Sequence, residues 1–247
     1  MSQLLGLYAM WLREIKVYSR EKSRMASSIF TPILWLFVFG KGLGASVSIG
    51  DLAYDIFIYP GILAMSTLFT SLFFGVYIVW DKRVDFLKEV LVSPLSRTTI
   101  FLGKVLGGMT DALIQVTILL LLGPLLGISF SLTGIGLVYV TVFLLSLGIV
   151  SIGLIIGSVM ESPEGFGLIV SFVAFPLFFL SGALFPIENL PRWLSTFVFI
   201  DPVTYGVDAL RQILLGAGEF SILFSLTALL VFSLTMVYLG TVAFERM

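Results

Sequence analysis

The chain has 247 residues, of which 58% are hydrophobic and 12% charged, about half the charged share of a soluble domain. Net charge is −1, and cysteine and histidine are both absent, which excludes disulfides, thiolate chemistry, histidine metal sites and histidine proton relays and gives no basic field for nucleic acid. So much apolar surface with so few charges points to a bilayer, where lipid tails leave apolar side chains no reason to hide.

Residues 1–25 place Leu4, Leu7, Tyr8, Trp11, Ile15 and Tyr18 at helical spacing, with Arg13, Lys16 and Arg20 on other faces. That is the pattern of an amphipathic helix lying in the interface plane, either as a plain anchor or also as a docking element. A crossing helix needs about 20 mostly apolar residues. Six windows qualify: Ala26–Leu43, Ile56–Trp80, Val105–Gly127, Leu132–Val159, Phe166–Phe185 and Ile222–Phe244. Ser28–Phe39 followed by Gly42–Ser46 imitates a cleavable signal, but the stretch before it is long and mixes Glu14 and Glu21 with basic residues, so the segment is expected to stay as the first span. Pro60 falls near the start of the second window, where a missing N–H matters little, and Pro176 is expected to kink the fifth.

Lys and Arg set the orientation. Arg13, Lys16, Arg20, Lys22 and Arg24 precede the first window, Lys82, Arg83, Lys88, Arg97 and Lys104 lie between the second and third, and Arg246 is in the tail. Only Lys41, Arg192 and Arg211 fall on the other side. The bias puts both termini in the cytoplasm, in agreement with an even number of spans.

In the loop Asp81–Lys104, Val84, Leu87, Val90 and Leu91 lie at helical spacing with Asp85, Lys88 and Glu89 between them. Pro94 ends this short helix, and Ser96 caps the helix that leads into the third window. A short charged helix can fit a groove in another protein, or be a solvated connector. The stretch Ser181–Gly216 is too apolar for a free loop and too broken by Pro186, Pro191 and Pro202 for a span. Short helices are expected over Arg192–Phe199 and Pro202–Leu215, the second capped by Asp201 and ended near Gly216 or Gly218. They are expected to dip into the outer leaflet and cap the bundle, because irregular backbone at membrane depth needs protein or water over it.

No phosphate-cradling motif is present, since Gly40-Lys41 and Gly103-Lys104 are followed by Gly42 and Val105. No nucleophile elbow, dinucleotide fingerprint or zinc motif appears, so no catalytic residue, cofactor or metal is expected in this chain. Asp111 is the clearest ionisable group within a span, with Gln115 one turn further on the same face. Both are candidates for a path lining or for a polar contact between helices. Gly153 and Gly157 have the spacing of close helix packing. The same spacing at Gly103–Gly107 falls at a helix entrance and is less specific.

Two segments carry a resemblance. Leu87–Lys104, LKEVLVSPLSRTTIFLGK, resembles the stretch before the third span in type-2 permeases of ATP-binding-cassette exporters. Ser181–Arg211 resembles that family's signature, with landmarks Ser181, Gly182, Phe185, Pro186, Pro191, Pro202, Tyr205 and Arg211. The chain looks most like daunorubicin-resistance-type drug and lipid exporters, and lipid-linked polysaccharide exporters are close.

The resemblance implies an all-α, six-span subunit of a multi-pass cell-membrane transporter, forming one domain over 1–247. It pairs with a second copy of itself and with two separate ABC ATPase subunits that bind ATP and magnesium. Membrane lipids are its other partners. It further implies that the residues meeting the ATPase are Asp81, Lys82, Arg83, Asp85, Phe86, Leu87, Lys88 and Glu89. The substrate implied is an amphipathic drug or lipid, or a lipid-linked glycan. The alternatives are an ion- or proton-coupled secondary transporter, for which Asp111 is the one strong candidate, and a membrane-embedded enzyme, disfavoured by the missing His, Cys and clustered carboxylates.

Overall fold

Serine sets where five of the helices begin. In a chain this apolar the first N–H groups of a helix have little water to turn to, so a side-chain acceptor at the N-cap matters, each cap contributing about 1 kcal/mol. Ser2, Ser96, Ser131, Ser162 and Ser221 each accept from the N–H three residues on, and Asp201 accepts from Val203. The computed structural model describes residues 2–44, 48–49, 52–187 and 190–246, so Ala45 and Ser46 of the signal-like segment lie outside the described residues.

The helices are α1 (Gln3–Arg20), α2 (Lys22–Gly44), α3 (Tyr54–Phe73), α4 (Val76–Arg83), α5 (Phe86–Leu91), α6 (Arg97–Leu120), α7 (Leu132–Val159), α8 (Pro163–Leu180), α9 (Arg192–Ile200), α10 (Pro202–Leu215) and α11 (Ile222–Glu245). A short 3-10 turn, Gly123–Leu126, prolongs α6, and two-residue strands β1 (Ser48–Ile49) and β2 (Leu52–Ala53) pair antiparallel. Among the described residues six helical stretches are long and apolar enough to cross a membrane: α2, α3 with α4, α6 with its 3-10 turn, α7, α8 and α11. The expected all-α, six-span architecture is therefore what the chain adopts.

The spans are unequally enclosed. In the most apolar stretch of Tyr54–Arg83, 83% of residues are buried, against 17% for α2, 22% for α8 and 17% for α11. The second span is thus the core of the bundle, and three others leave most of their surface for lipid or a second chain. Spans two and four meet at glycine: a Cβ on Gly75 would overlap the Gly153 carbonyl, and one on Gly157 would overlap the Gly75 carbonyl. The Gly153/Gly157 spacing is therefore a helix-packing seam. Many hydroxyls inside the spans turn back on their own helix, as Thr67 donates to the Leu63 carbonyl and Ser151 to that of Leu147, which satisfies them without water.

α6 begins at Arg97, directly after the expected Ser96 cap and eight residues before the apolar window at Val105. Other boundaries move from their expected places. α8 ends at Leu180, short of Phe185, and Gly182 follows with φ 71°, a turn that stops the helix. α8 stays a single helix through Pro176. Between α4 and α5 the chain breaks at Asp85, whose φ is 58°, so Val84 lies outside the short helix that it was expected to start.

The helix α1 meets the protein along one face. Gly6, Met10, Glu14 and Tyr18 are buried, whereas Leu4, Leu5 and Tyr8 are exposed. Leu4, Leu5 and Tyr8 turn away from the protein, while the buried face mixes Met10 and Tyr18 with Glu14, and Met10 and Glu14 pack on α6. Gly103 and Gly107 are the seat: a Cβ on Gly103 would lie 2.5 Å from Met10 Cβ, and one on Gly107 2.5 Å from Glu14 Cβ.

Candidate functional site

One end of the bundle carries α1, α5 and most of the basic residues; the other carries α9 and α10. At the basic end a charge quartet lies between three helices, with Arg13 as its partly exposed member. The Lys104 ammonium on α6 is 0% exposed and lies 3.0 Å from Glu14 Oε1 on α1 and 2.5 Å from Asp81 Oδ2 on α4. Arg13 on α1 grips both Asp81 oxygens, at 2.5 and 3.2 Å, and Glu14 at 2.7 Å. Two cations meet two carboxylates, so the quartet is neutral, and an ion here with its partner removed would be buried uncompensated. Burial works against the Arg13 charge, but the hydrogen bond to Asp81 and the nearby carboxylates outweigh it and hold the guanidinium above its ordinary range. The same guanidinium lies 4.0 Å over the Phe86 ring of α5. Arg13 therefore joins α5, through α1, to spans two and three.

The eight residues proposed from the loop to meet an ATPase separate into two groups. Asp81 belongs to the quartet, Lys82 donates to the Gly157, Ser158 and Met160 carbonyls at the end of α7, Phe86 sits under Arg13 and Leu87 is 3% exposed in the core. Arg83, Asp85, Lys88 and Glu89 are exposed, and Val92 just beyond is 87% exposed. The first group anchors and the second presents a surface.

Between α2, α3, α6 and α8 lies a half-open groove of about 610 Å³. Its body is apolar and aromatic: Trp35, Met65, Phe69, Phe73, Phe175 and Phe178. Its polar lining is Ser27, Thr31, Ser66, Arg24, Ser28, Thr70 and Gln115. Thr70 donates to the Gln115 carbonyl and Gln115 donates to the Ser28 carbonyl, so Gln115 ties three spans together. Asp111, one turn away, is 1% exposed and pairs with Arg24 at 3.5 Å. A second cleft of about 350 Å³, lined by Arg13, Glu21, Arg24, Tyr77, Trp80 and Asp81 among others, opens on the other side of Arg24.

At the opposite end the signature residues close the bundle. Gly182 offers its carbonyl to the Arg211 guanidinium at 2.9 Å, and that guanidinium lies 4.1 Å over the Phe57 ring of α3. Burial lowers Arg211 to about 10 while Asp208 and Glu219 oppose the shift, so it stays charged. The Ser181 hydroxyl donates to the Phe178 carbonyl and accepts from the Ala183 N–H. Tyr205 donates to the Phe199 carbonyl at 2.7 Å, bracing α10 on α9, with Pro191 and Pro202 at the two helix starts. Phe185 and Pro186 are half-buried in the turn after Gly182. Burial raises the Asp201 carboxyl to about 8, against the pull of the Val203 N–H.

Arg13, Glu14, Arg24 and Lys104 are missing from the sequence-derived site. Lys104 looked like the end of a loop because the apolar window starts after it. Among the described residues no group of His, Cys, Asp and Glu could hold a metal ion.

Residues 6–215 match the model of the ABC-2 type transporter family. The chain is 30% identical over 193 residues to the "Probable multidrug ABC transporter permease YbhR" of Escherichia coli, covering 75% of this chain and 51% of that one. It is 26% identical over 250 residues to Nodulation protein J of Rhizobium leguminosarum bv. trifolii, covering 98% and 94%. The match thus spans about half the length of YbhR and nearly all of the nodulation protein. A six-span bundle without a phosphate-binding motif, matched over 210 of its residues, belongs to the ABC-2 type transporter family of membrane permeases.

Proposed function

We propose that the chain is the membrane half of an ATP-driven exporter, with its basic end in the cytoplasm, where a separate ATP-hydrolysing subunit docks on the exposed face of α5. The observation that carries this is the charge quartet directly behind α5. A docking helix transmits motion only if something rigid stands behind it, and Arg13 links Phe86 of α5 to Asp81, Glu14 and Lys104 on α4, α1 and α6. Leu87 fixes the inner side of α5 in the core, leaving Asp85, Lys88 and Glu89 outward.

Two copies form the path in this reading. The sparsely buried α2 and α8 flank the groove, so a second chain would close it from the side. When ATP draws the two ATPases together, α5 moves, the quartet carries that motion to α1, α4 and α6, and the groove changes shape. The groove's aromatic body and polar end suit an amphipathic molecule, and its volume is that of a site for a drug-sized ligand. The multidrug name of one relative supports this substrate class.

The test is reconstitution with the ATPase subunit encoded nearby, and a panel of fluorescent drugs and lipids. Uptake into inside-out vesicles should require ATP and survive a protonophore. Uptake that continues without ATP and collapses with the proton gradient would establish the ion-coupled alternative instead.

A further inference from the structure

Arg24 lines both the groove and the cleft, so it stands between them. Its guanidinium is held by Tyr77, which accepts from Arg24 and donates to Glu21. The ring of Tyr77 lies 4.6 Å from Arg24 Cζ, and those of Tyr18 and Phe74 lie at 5.8 Å. Asp111 faces it at 3.5 Å and Glu21 at 4.0 Å. Three aromatic faces and two carboxylates around one positive charge make a cation site by its chemistry.

Asp81 and Asp111, two of the buried carboxylates within the spans, differ in a way that separates structure from exchange. Asp81 is gripped by Lys104 and Arg13 at 2.5 Å each. Asp111 is as buried, yet neither of its oxygens accepts a hydrogen bond among the described residues. Its sole ion-pair partner there is an Arg24 side chain 23% exposed. A carboxylate serving only to lock helices is expected to be hydrogen-bonded, because burial without partners is costly. This one is matched to a charge that can be withdrawn.

We propose that Asp111 and the Tyr77 ring form a subsite for the cationic head of an amphipathic organic cation, with Arg24 as its tethered occupant. On loading, Arg24 swings toward the cleft, the ligand's positive group replaces it beside Asp111, and the apolar body lies along Phe69, Phe73 and Phe175. An anionic head placed there would meet Asp111 and Glu21. This rests on the groove being part of the transport path, but it is tested by binding, which needs no ATP, so the two claims can fail separately.

The test uses two tetraphenyl ions of nearly equal shape and opposite charge, tetraphenylphosphonium and tetraphenylborate. Each is titrated calorimetrically into the detergent-purified complex without nucleotide, with empty micelles as blank. The wild type should bind the phosphonium at least about tenfold more tightly than the borate. Asp111→Asn should lose about tenfold for the phosphonium only, and Arg24→Met, freed of the tethered competitor, should bind the phosphonium more tightly. Equal binding of both ions by the wild type, or unchanged phosphonium binding by Asp111→Asn, overturns the proposal. So does weaker phosphonium binding by a folded Arg24→Met protein. Phosphonium binding as expected with no ATP-driven uptake of any probe would overturn the exporter reading and leave the subsite standing.

Discussion

Replacing Lys104 by Met keeps the length and apolar stem of the side chain and removes one charge from a site that is 0% exposed. The quartet then holds Glu14 and Asp81 against Arg13 alone, and Arg13 is already committed to both, at 2.7 and 2.5 Å. A buried negative charge is left without compensation, at a cost of about 3–5 kcal/mol. Adding Glu14→Gln restores neutrality and leaves the bidentate Arg13–Asp81 pair in place. The double variant should therefore be more stable than Lys104→Met alone, a coupling of at least about 1 kcal/mol. Trp11 supplies the reporter. Its indole N–H on α1 donates to the Thr110 hydroxyl on α6 at 3.0 Å, so a chain keeping Trp11 as its only tryptophan reports the docking of α1. Thermal unfolding should show early loss of that signal in Lys104→Met and its recovery in the double variant. Wild-type unfolding by Lys104→Met, or a double variant no better than the single one, would refute the view that charge balance holds α1 down.

Three further outcomes follow from the geometry. Gly107→Ala puts a Cβ 2.5 Å from Glu14 Cβ and should destabilise by about 1–3 kcal/mol, with the Trp11 signal lost first. Glu89→Lys lies on exposed surface and should leave thermal stability unchanged while weakening co-purification with the ATPase; Leu87→Asp enters the core and should lower stability itself, so it is no clean probe of docking. Burial lifts Asp201 from its ordinary 3.8 to about 8, so across that window the native state holds a proton that the unfolded state lacks, and stability should fall as pH rises. Asp201→Asn keeps the acceptor for Val203 and should remove that part of the pH dependence in a melting series.

Local chemistry made much of the fold legible. The Asp201-Pro202 start and Gly216 end of α10, the Ser96 cap and the full extent of α7 all emerge where expected, because caps and breakers act on their own neighbours. The amphipathic pattern of α1 was visible, but not which face meets protein, since an apolar stripe serves lipid as well as a core. Gly103 and Gly107 looked unspecific because their partners, Met10 and Glu14, come from a distant helix. Arg24 and Lys104 counted only as topogenic charges, and nothing local says that each meets a carboxylate across the bundle. The family resemblance marks eight residues between Asp81 and Glu89 together, but their division into anchoring and exposed residues depends on the break at Asp85 and on what packs behind it.

Arg13 is the charged link from α5 into the spans, beside the apolar anchor Leu87, because it touches Phe86, Asp81 and Glu14 together. Arg13→Gln removes those contacts and leaves Lys104 on both carboxylates. The decisive measurement is ATP hydrolysed per molecule transported by the reconstituted complex carrying this variant. The complex should assemble and hydrolyse ATP while transport falls, so that the ratio rises severalfold. A ratio equal to wild type, whether both rates persist or both fall together, would contradict coupling through this cluster.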